Sequence, residues 1–205
     1  MRVRMVVTAL LAALVLAGCS GAATPEPGPV EPTAPANTSE ELKQAKRDAA
    51  IADCPTSDPA VAAVDSGLPD VVLSCLGGGR DVRLAGLRGR PMMINIWAQW
   101  CQPCQEEAPF IAEVANANDS DLLILGIDYE DPRPDRAIEF ARVLTWRFPQ
   151  LVDQDKVLAG PLQITGPPQT FFVRADGTIA GRHVGPFRSA EQIRTQAKDL
   201  LGVSL

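Results

Sequence analysis

Two cysteines separated by two residues, Cys101 and Cys104, follow closely on an apolar run. That juxtaposition constrains the fold more than any other feature of the chain. The run, Met92-Met93-Ile94-Asn95-Ile96-Trp97, scarcely alternates, which is the pattern of a central strand covered on both faces. The pair then opens a helix: residues 106–116 read helical, and Pro103 suits a first turn, where a missing amide hydrogen costs little. A helix N-terminus offers unpaired amide donors and the positive end of the dipole. Cys101, at its start, is therefore expected to be exposed and to ionise below the ~8.5 of a free cysteine. Cys104, one turn on, is expected to be more buried and to resolve a mixed disulfide formed at Cys101.

Other chemistries fit the pair less well. A zinc site needs four ligands, and Cys54 and Cys75 form no second Cys-x-x-Cys to complete one. A c-type haem needs His after the second cysteine, and position 105 is Gln. A copper site would have to recruit His183, the single histidine, which also excludes an HExxH zinc motif. His183 is expected on a terminal strand with no catalytic task. A net charge of −6 argues against a nucleic-acid partner. A non-enzymatic binding module with a static disulfide is the competing class, and the helix-start position of Cys101 argues against it.

The remaining patterns give an α/β fold. Residues 70–75 and 80–84 read as a hairpin around Gly77-Gly78-Gly79, 122–127 as a buried strand, and 134–146 as a helix. Strands are expected at 170–173 and 178–184 around Ala175-Asp176-Gly177. A helix follows over 189–201, with Ser189 and Gln192 as a capping box. Thr38 and Glu41 form another such box, opening a helix to about residue 51 that Cys54-Pro55 ends. The order predicts a mixed central sheet with flanking helices. Trp97, Trp146 and Phe148 are expected to pack the core. Asp128-Tyr129-Glu130-Asp131 is expected to be a solvated strand-end loop rather than a metal cluster.

The first residues read as an address. Arg2 and Arg4 precede a 13-residue apolar run, residues 5–17, too short for the ~18–20 of a membrane span. It ends in Leu16-Ala17-Gly18-Cys19, which resembles the bacterial lipobox. The resemblance implies cleavage before Cys19 and acylation of its sulfur (palmitate-type chains), anchoring the protein outside the cytoplasmic membrane. Loss of residues 1–18 leaves 17 basic and 25 acidic side chains, a formal −8, so any membrane attachment is by lipid and not by a basic patch. Five prolines between residues 20 and 38 make an extended tether, reaching roughly 60 Å. The expected organisation is a signal peptide over 1–18, a tether over 19–38 and one domain over 39–205.

Trp97-Ala98-Gln99-Trp100-Cys101-Gln102-Pro103-Cys104 resembles the active-site segment of thioredoxin-fold proteins, closest to the TlpA/ResA-like thiol–disulfide oxidoreductases. Thioredoxin has a buried acid at the position of Asn95; this chain does not. Glu107 matches the subfamily's glutamate near the disulfide, and the resemblance implies that it shuttles a proton for Cys104. The alternative is an ordinary first-turn acid favoured by the dipole. Gly166-Pro167-Pro168-Gln169-Thr170 resembles the family's segment carrying a cis proline opposite the disulfide, which assigns that role to Pro168, although Pro167 and Gln169 depart from commoner choices. Trp100 is expected to shape the substrate surface. The resemblance spans roughly residues 69–200.

It implies a thioredoxin-like fold extended by the N-terminal hairpin, protein thiols and disulfides as substrates, and no organic cofactor or metal. Relatives often reduce apocytochrome c or copper-protein thiols using a membrane electron donor; others install disulfides as oxidants. With Cys19 lipidated, Cys54 and Cys75 are left as a pair, expected to be a structural disulfide. Its 21-residue separation makes closure worth about 3 kcal/mol by the chain-entropy argument. A second redox relay is the other reading. The staple is preferred because no thiolate-favouring neighbour is visible in the sequence.

Overall fold

A computed structural model describes residues 38–205. The expected signal peptide, the lipid-bearing Cys19 and nearly all of the tether lie outside the described residues.

Helix α1 (Ser39–Asp48) opens with the expected capping box: Thr38 Oγ1 accepts from the Glu41 amide, and Glu41 Oε2 accepts from the Thr38 amide at 2.6 Å. It stops three residues before residue 51. Ala50 turns the backbone to φ 54°, and the Ala52 amide donates to the Arg147 carbonyl instead of continuing the helix. Strands β1 (Val72–Cys75) and β2 (Val82–Arg83) form the hairpin, around glycines that all have positive φ. Both are shorter than expected. At one end Arg83 makes a two-pronged contact to Asp70, and past Arg83 the chain turns into a 3-10 helix, Leu84–Gly86.

Strand β3 (Met92–Trp97) is buried along its whole length, as its apolar run requires. It leads into α2 (Gln102–Ala117), then β4 (Leu123–Tyr129) and α3 (Pro134–Val143). A four-residue strand, β5 (Gln150–Asp153), was not expected from the sequence. Strands β6 (Gln169–Val173) and β7 (Ile179–Val184) and helix α4 (Ala190–Leu201) follow. At α4 only half of the expected box forms. Ser189 Oγ accepts from the Gln192 amide, but Gln192 Oε1 accepts from the Arg188 amide, one residue outside the cap.

The seven strands run in the order β2-β1-β5-β4-β3-β6-β7. β3, β4 and β5 are parallel; β1, β6 and β7 pair antiparallel with their neighbours. The period of two sorts β3 between two cores. Met93 and Trp97 join the buried residues of α2, α3 and α4, while Met92, Ile94 and Ile96 face Leu68, Leu84, Leu158 and Phe171. Trp97, Phe140 and Trp146 pack ring on ring, with centroids 5.0–5.6 Å apart. Asn95 lies between Met93 and Trp97 in the strand, so the pleat turns its amide toward α2. That sets up the site.

Candidate active site

The strand-to-helix passage from β3 to α2 brings the cysteine pair to one end of the sheet. Cys101 is the N-cap of α2, with extended backbone (φ −83°, ψ 108°), and its Sγ accepts from the Cys104 amide at 3.2 Å. Pro103 occupies the first turn, as expected. Cys101 and Cys104 form a disulfide with Cα atoms 5.3 Å apart. Cys104 is fully buried. The expectation that Cys101 is exposed does not hold: only 4% of its surface is accessible. As the N-cap its sulfur is bonded back onto Cys104 over the helix end, and it joins the core cluster. The exposed side chain here is Trp100, at 48%, whose indole donates to the Glu130 carbonyl at 3.1 Å.

One turn beyond Cys104, Glu107 is wholly buried and lies past the first turn of α2, which does not fit the alternative of an ordinary first-turn acid favoured by the dipole. Its Oε1 accepts from Asn95 Nδ2 at 2.9 Å and its Oε2 from the Phe187 amide at 2.9 Å. Burial pushes its carboxyl up to about 7, with the two hydrogen bonds pulling the other way. The group thus changes charge near neutral pH. Asn95 Nδ2 also donates to Thr170 Oγ1 at 3.0 Å, tying β3 to both α2 and β6. Asn95 Oδ1 is buried without a partner. The strand carries an amide at Asn95, and the buried carboxyl that it holds comes from the helix.

Pro168 follows a cis peptide bond from Pro167. Register puts it at the same end of the sheet as the disulfide: Gln169 pairs with Ile96, so Pro168 stands level with Trp97. Gln169 is buried, its Nε2 donating to the Gly166 carbonyl at 3.0 Å while its Oε1 has no partner. His183 lies on β7, stacked on Phe187 with centroids 4.2 Å apart.

Two features escaped the sequence. The 128–131 segment is not a solvated loop: Asp128, Tyr129 and Asp131 are buried and only Glu130 is exposed. Asp128 stands opposite Trp97 in the parallel pair, and burial, reinforced by Asp131, holds its carboxyl well above the usual range. Asp131 Oδ2 accepts from the Gln99 amide at 3.4 Å, fastening the approach to Cys101. Strand β4 continues to Tyr129, two residues beyond the expected end, and carries these acids inward. No group of three or more His, Cys, Asp or Glu among the described residues is arranged to hold a metal ion.

The second feature concerns the other cysteines. Cys54 and Cys75 form a disulfide, Cα atoms 5.9 Å apart, joining the segment after α1 to β1. The absence of a thiolate-favouring neighbour does not hold. Lys46 of α1 is buried, with Nζ 3.1 Å from Cys75 Sγ. Leu42, Lys46 and Ala49 recur at helical spacing on one apolar stripe, a signal that the sequence did carry.

Comparison with known proteins places this geometry. Residues 64–182 match the AhpC/TSA family. The chain is 32% identical over 120 residues to the thiol:disulfide interchange protein DsbE of Pseudomonas fluorescens biotype C, covering 57% of this chain and 64% of that protein. It is 35% identical over 123 residues to the thiol-disulfide oxidoreductase ResA of Geobacillus thermodenitrificans, covering 57% and 67%. The chain spans less than two thirds of the length of the first of these relatives. Among solved structures it resembles a secreted Mycobacterium tuberculosis disulfide oxidoreductase homologous to E. coli DsbE, with a TM-score of 0.56 and 26% identity over 64% of this chain and 96% of that one. The sheet with its helices is thioredoxin-like, and the chain belongs to the AhpC/TSA family.

Proposed function

We propose that this protein is an extracytoplasmic thiol–disulfide oxidoreductase acting on protein cysteines. The observation that carries the reading is a disulfide capping a helix N-terminus, with the buried, hydrogen-bonded carboxyl of Glu107 one turn behind it. In the reduced protein the helix end favours a thiolate at Cys101. That thiolate attacks a client disulfide, and one client sulfur departs. The Cys104 sulfur then attacks Cys101 Sγ, breaking the mixed disulfide and releasing the second client sulfur. Cys104 must lose a proton to attack, and Glu107 takes it, held in place by Asn95 and the Phe187 amide. Trp100, exposed beside Cys101, shapes the surface that meets the client, and the buried Pro168 backs the pair from the same end of the sheet. No organic cofactor or metal enters these steps.

The Leu16-Ala17-Gly18-Cys19 sequence supports removal of residues 1–18, acylation of Cys19 and attachment of the domain to the outer face of the cell membrane through the tether of 19–38. The similarity to DsbE and ResA supports thiol–disulfide exchange; the reducing direction, with apocytochrome c thiols or similar clients and a membrane electron donor, is what the TlpA/ResA-like resemblance of the active-site segment suggests. Donation of disulfides to exported proteins is the reverse of the same exchange. Cys54–Cys75, when closed, is a staple worth about 3 kcal/mol. The test is insulin disulfide reduction by the unaltered chain and by Cys104→Ala. The first should reduce insulin; the second should accumulate a mixed disulfide at Cys101. Full activity without Cys101 would overturn the proposal.

A further inference from the structure

Lys46 is the one buried cation among the described residues, and it is poorly compensated. Its Nζ lies 2.9 Å from the Gly78 carbonyl, 3.1 Å from Cys75 Sγ and 3.4 Å from Asp53 Oδ1. The Asp53 side chain is 87% exposed, so its charge is screened by solvent. A disulfide sulfur is a weak acceptor. Burying a cation against such partners is costly. An anion on Cys75 would supply the counter-charge that the closed disulfide withholds.

The other sulfur has the opposite surroundings. Cys54 Sγ lies 3.2 Å from the Gln150 carbonyl oxygen, which repels a thiolate and accepts a thiol hydrogen. The backbone differs too. Both sulfurs are buried, so a thiolate reaches one only when its segment opens: Cys75 ends β1, between β2 and β5 in the sheet, whereas Cys54 sits in a stretch between α1 and β1 that has neither helix nor strand. We propose that Cys54–Cys75 is a second thiol–disulfide exchange site with a fixed polarity: an incoming thiolate takes Cys54 Sγ, and Cys75 leaves as a thiolate paired with the Lys46 ammonium.

The electrons come from a dithiol, either a protein of the thioredoxin class or a small molecule. Its first thiolate bonds to Cys54 Sγ; the Cys54–Cys75 bond breaks and its electron pair leaves on Cys75. The donor's second thiolate attacks the donor sulfur of the mixed disulfide. Cys54 is released and takes a proton, facing the Gln150 carbonyl. The donor ends as a disulfide and the chain holds a thiol and a thiolate. Opening frees the segment after α1 from β1, so the site reports the redox state of its surroundings to the packing of α1. The inference is independent of the role of Cys101 and Cys104.

The test uses the full oxidised chain in graded dithiothreitol buffers, quenched with acid, alkylated and read peptide by peptide. Cys54–Cys75 should open within the range that reduces Cys101–Cys104. Lys46→Met should make it about tenfold harder to open, about 30 mV for a two-electron couple, with Cys101–Cys104 unmoved. Brief exposure of the unaltered chain to glutathione should leave the adduct on Cys54. A Cys54–Cys75 bond still closed when Cys101–Cys104 is fully reduced would overturn the proposal. So would adducts on Cys75, or a Lys46→Met titration matching the unaltered chain. Should Lys46→Met fail to fold, the adduct position decides.

Discussion

The two disulfides of this chain have similar spans between Cα atoms and different surroundings. Cys101–Cys104 closes a three-residue separation at a helix end, where the positive field comes from aligned peptides. Cys54–Cys75 closes a 21-residue separation, where the positive field comes from one ammonium. A helix end costs no desolvation of a full charge, which suits a cysteine proposed to exchange repeatedly. A buried lysine does cost, and it serves a sulfur already held in the sheet. The loop closed is also much longer at the second site, so closing it constrains the unfolded chain more. On the readings proposed above both pairs exchange, but the second also holds two segments together while it is closed, and its lysine biases which sulfur leaves.

The largest expected effect separates the pairs outright. Cys101→Ala should bring insulin reduction to background, while a Cys54→Ala/Cys75→Ala double variant keeps most of it. Activity lost in both would erase the distinction. Stability should behave the other way round. The double variant should lose about 3 kcal/mol in urea unfolding, against roughly half of that from opening Cys101–Cys104.

Glu107 sharpens the contrast because it sits behind only one of the pairs. Its folded value, about 7, lies above the unfolded carboxylate value, so the folded state holds the proton more tightly. The contribution of Glu107 to stability should therefore fall as pH rises from about 4.5 to about 7, by roughly 2–4 kcal/mol, and level off above that. Glu107→Gln should remove that part of the slope, measured as urea midpoints across pH, and Asp128 should keep contributing in the same direction. The same variant should slow resolution of the mixed disulfide by roughly a hundredfold at neutral pH and flatten its pH profile. The smallest effect expected is from Trp100→Ala, a few-fold rise in KM for a protein client with both reduction equilibria unchanged.

Much of this was legible because it follows local rules. The all-apolar run of β3, the cap at Thr38, the hairpin glycines and the Cys-x-x-Cys helix start all depend on neighbours within a few residues. The resemblance located Pro168, whose cis bond no local rule predicts. Strand β5 was missed because four residues after Pro149 carry little pattern; it exists because β1 and β4 leave a place between them. Burial of Lys46, Asp128 and Asp131 was missed because a charged side chain is ordinarily read as solvated. Cys101 was expected to be exposed from its place at the helix start. The sequence could not show that its sulfur would fold back over that end.

The proposed chemistry rests on the helix end making Cys101 the attacking sulfur. The most direct measurement is iodoacetamide alkylation of the reduced chain across pH, resolved by peptide. Cys101 should react first, with a midpoint below the ~8.5 of a free cysteine, while Cys104 stays unreacted. A midpoint at or above that value, or Cys104 reacting before Cys101, would contradict it.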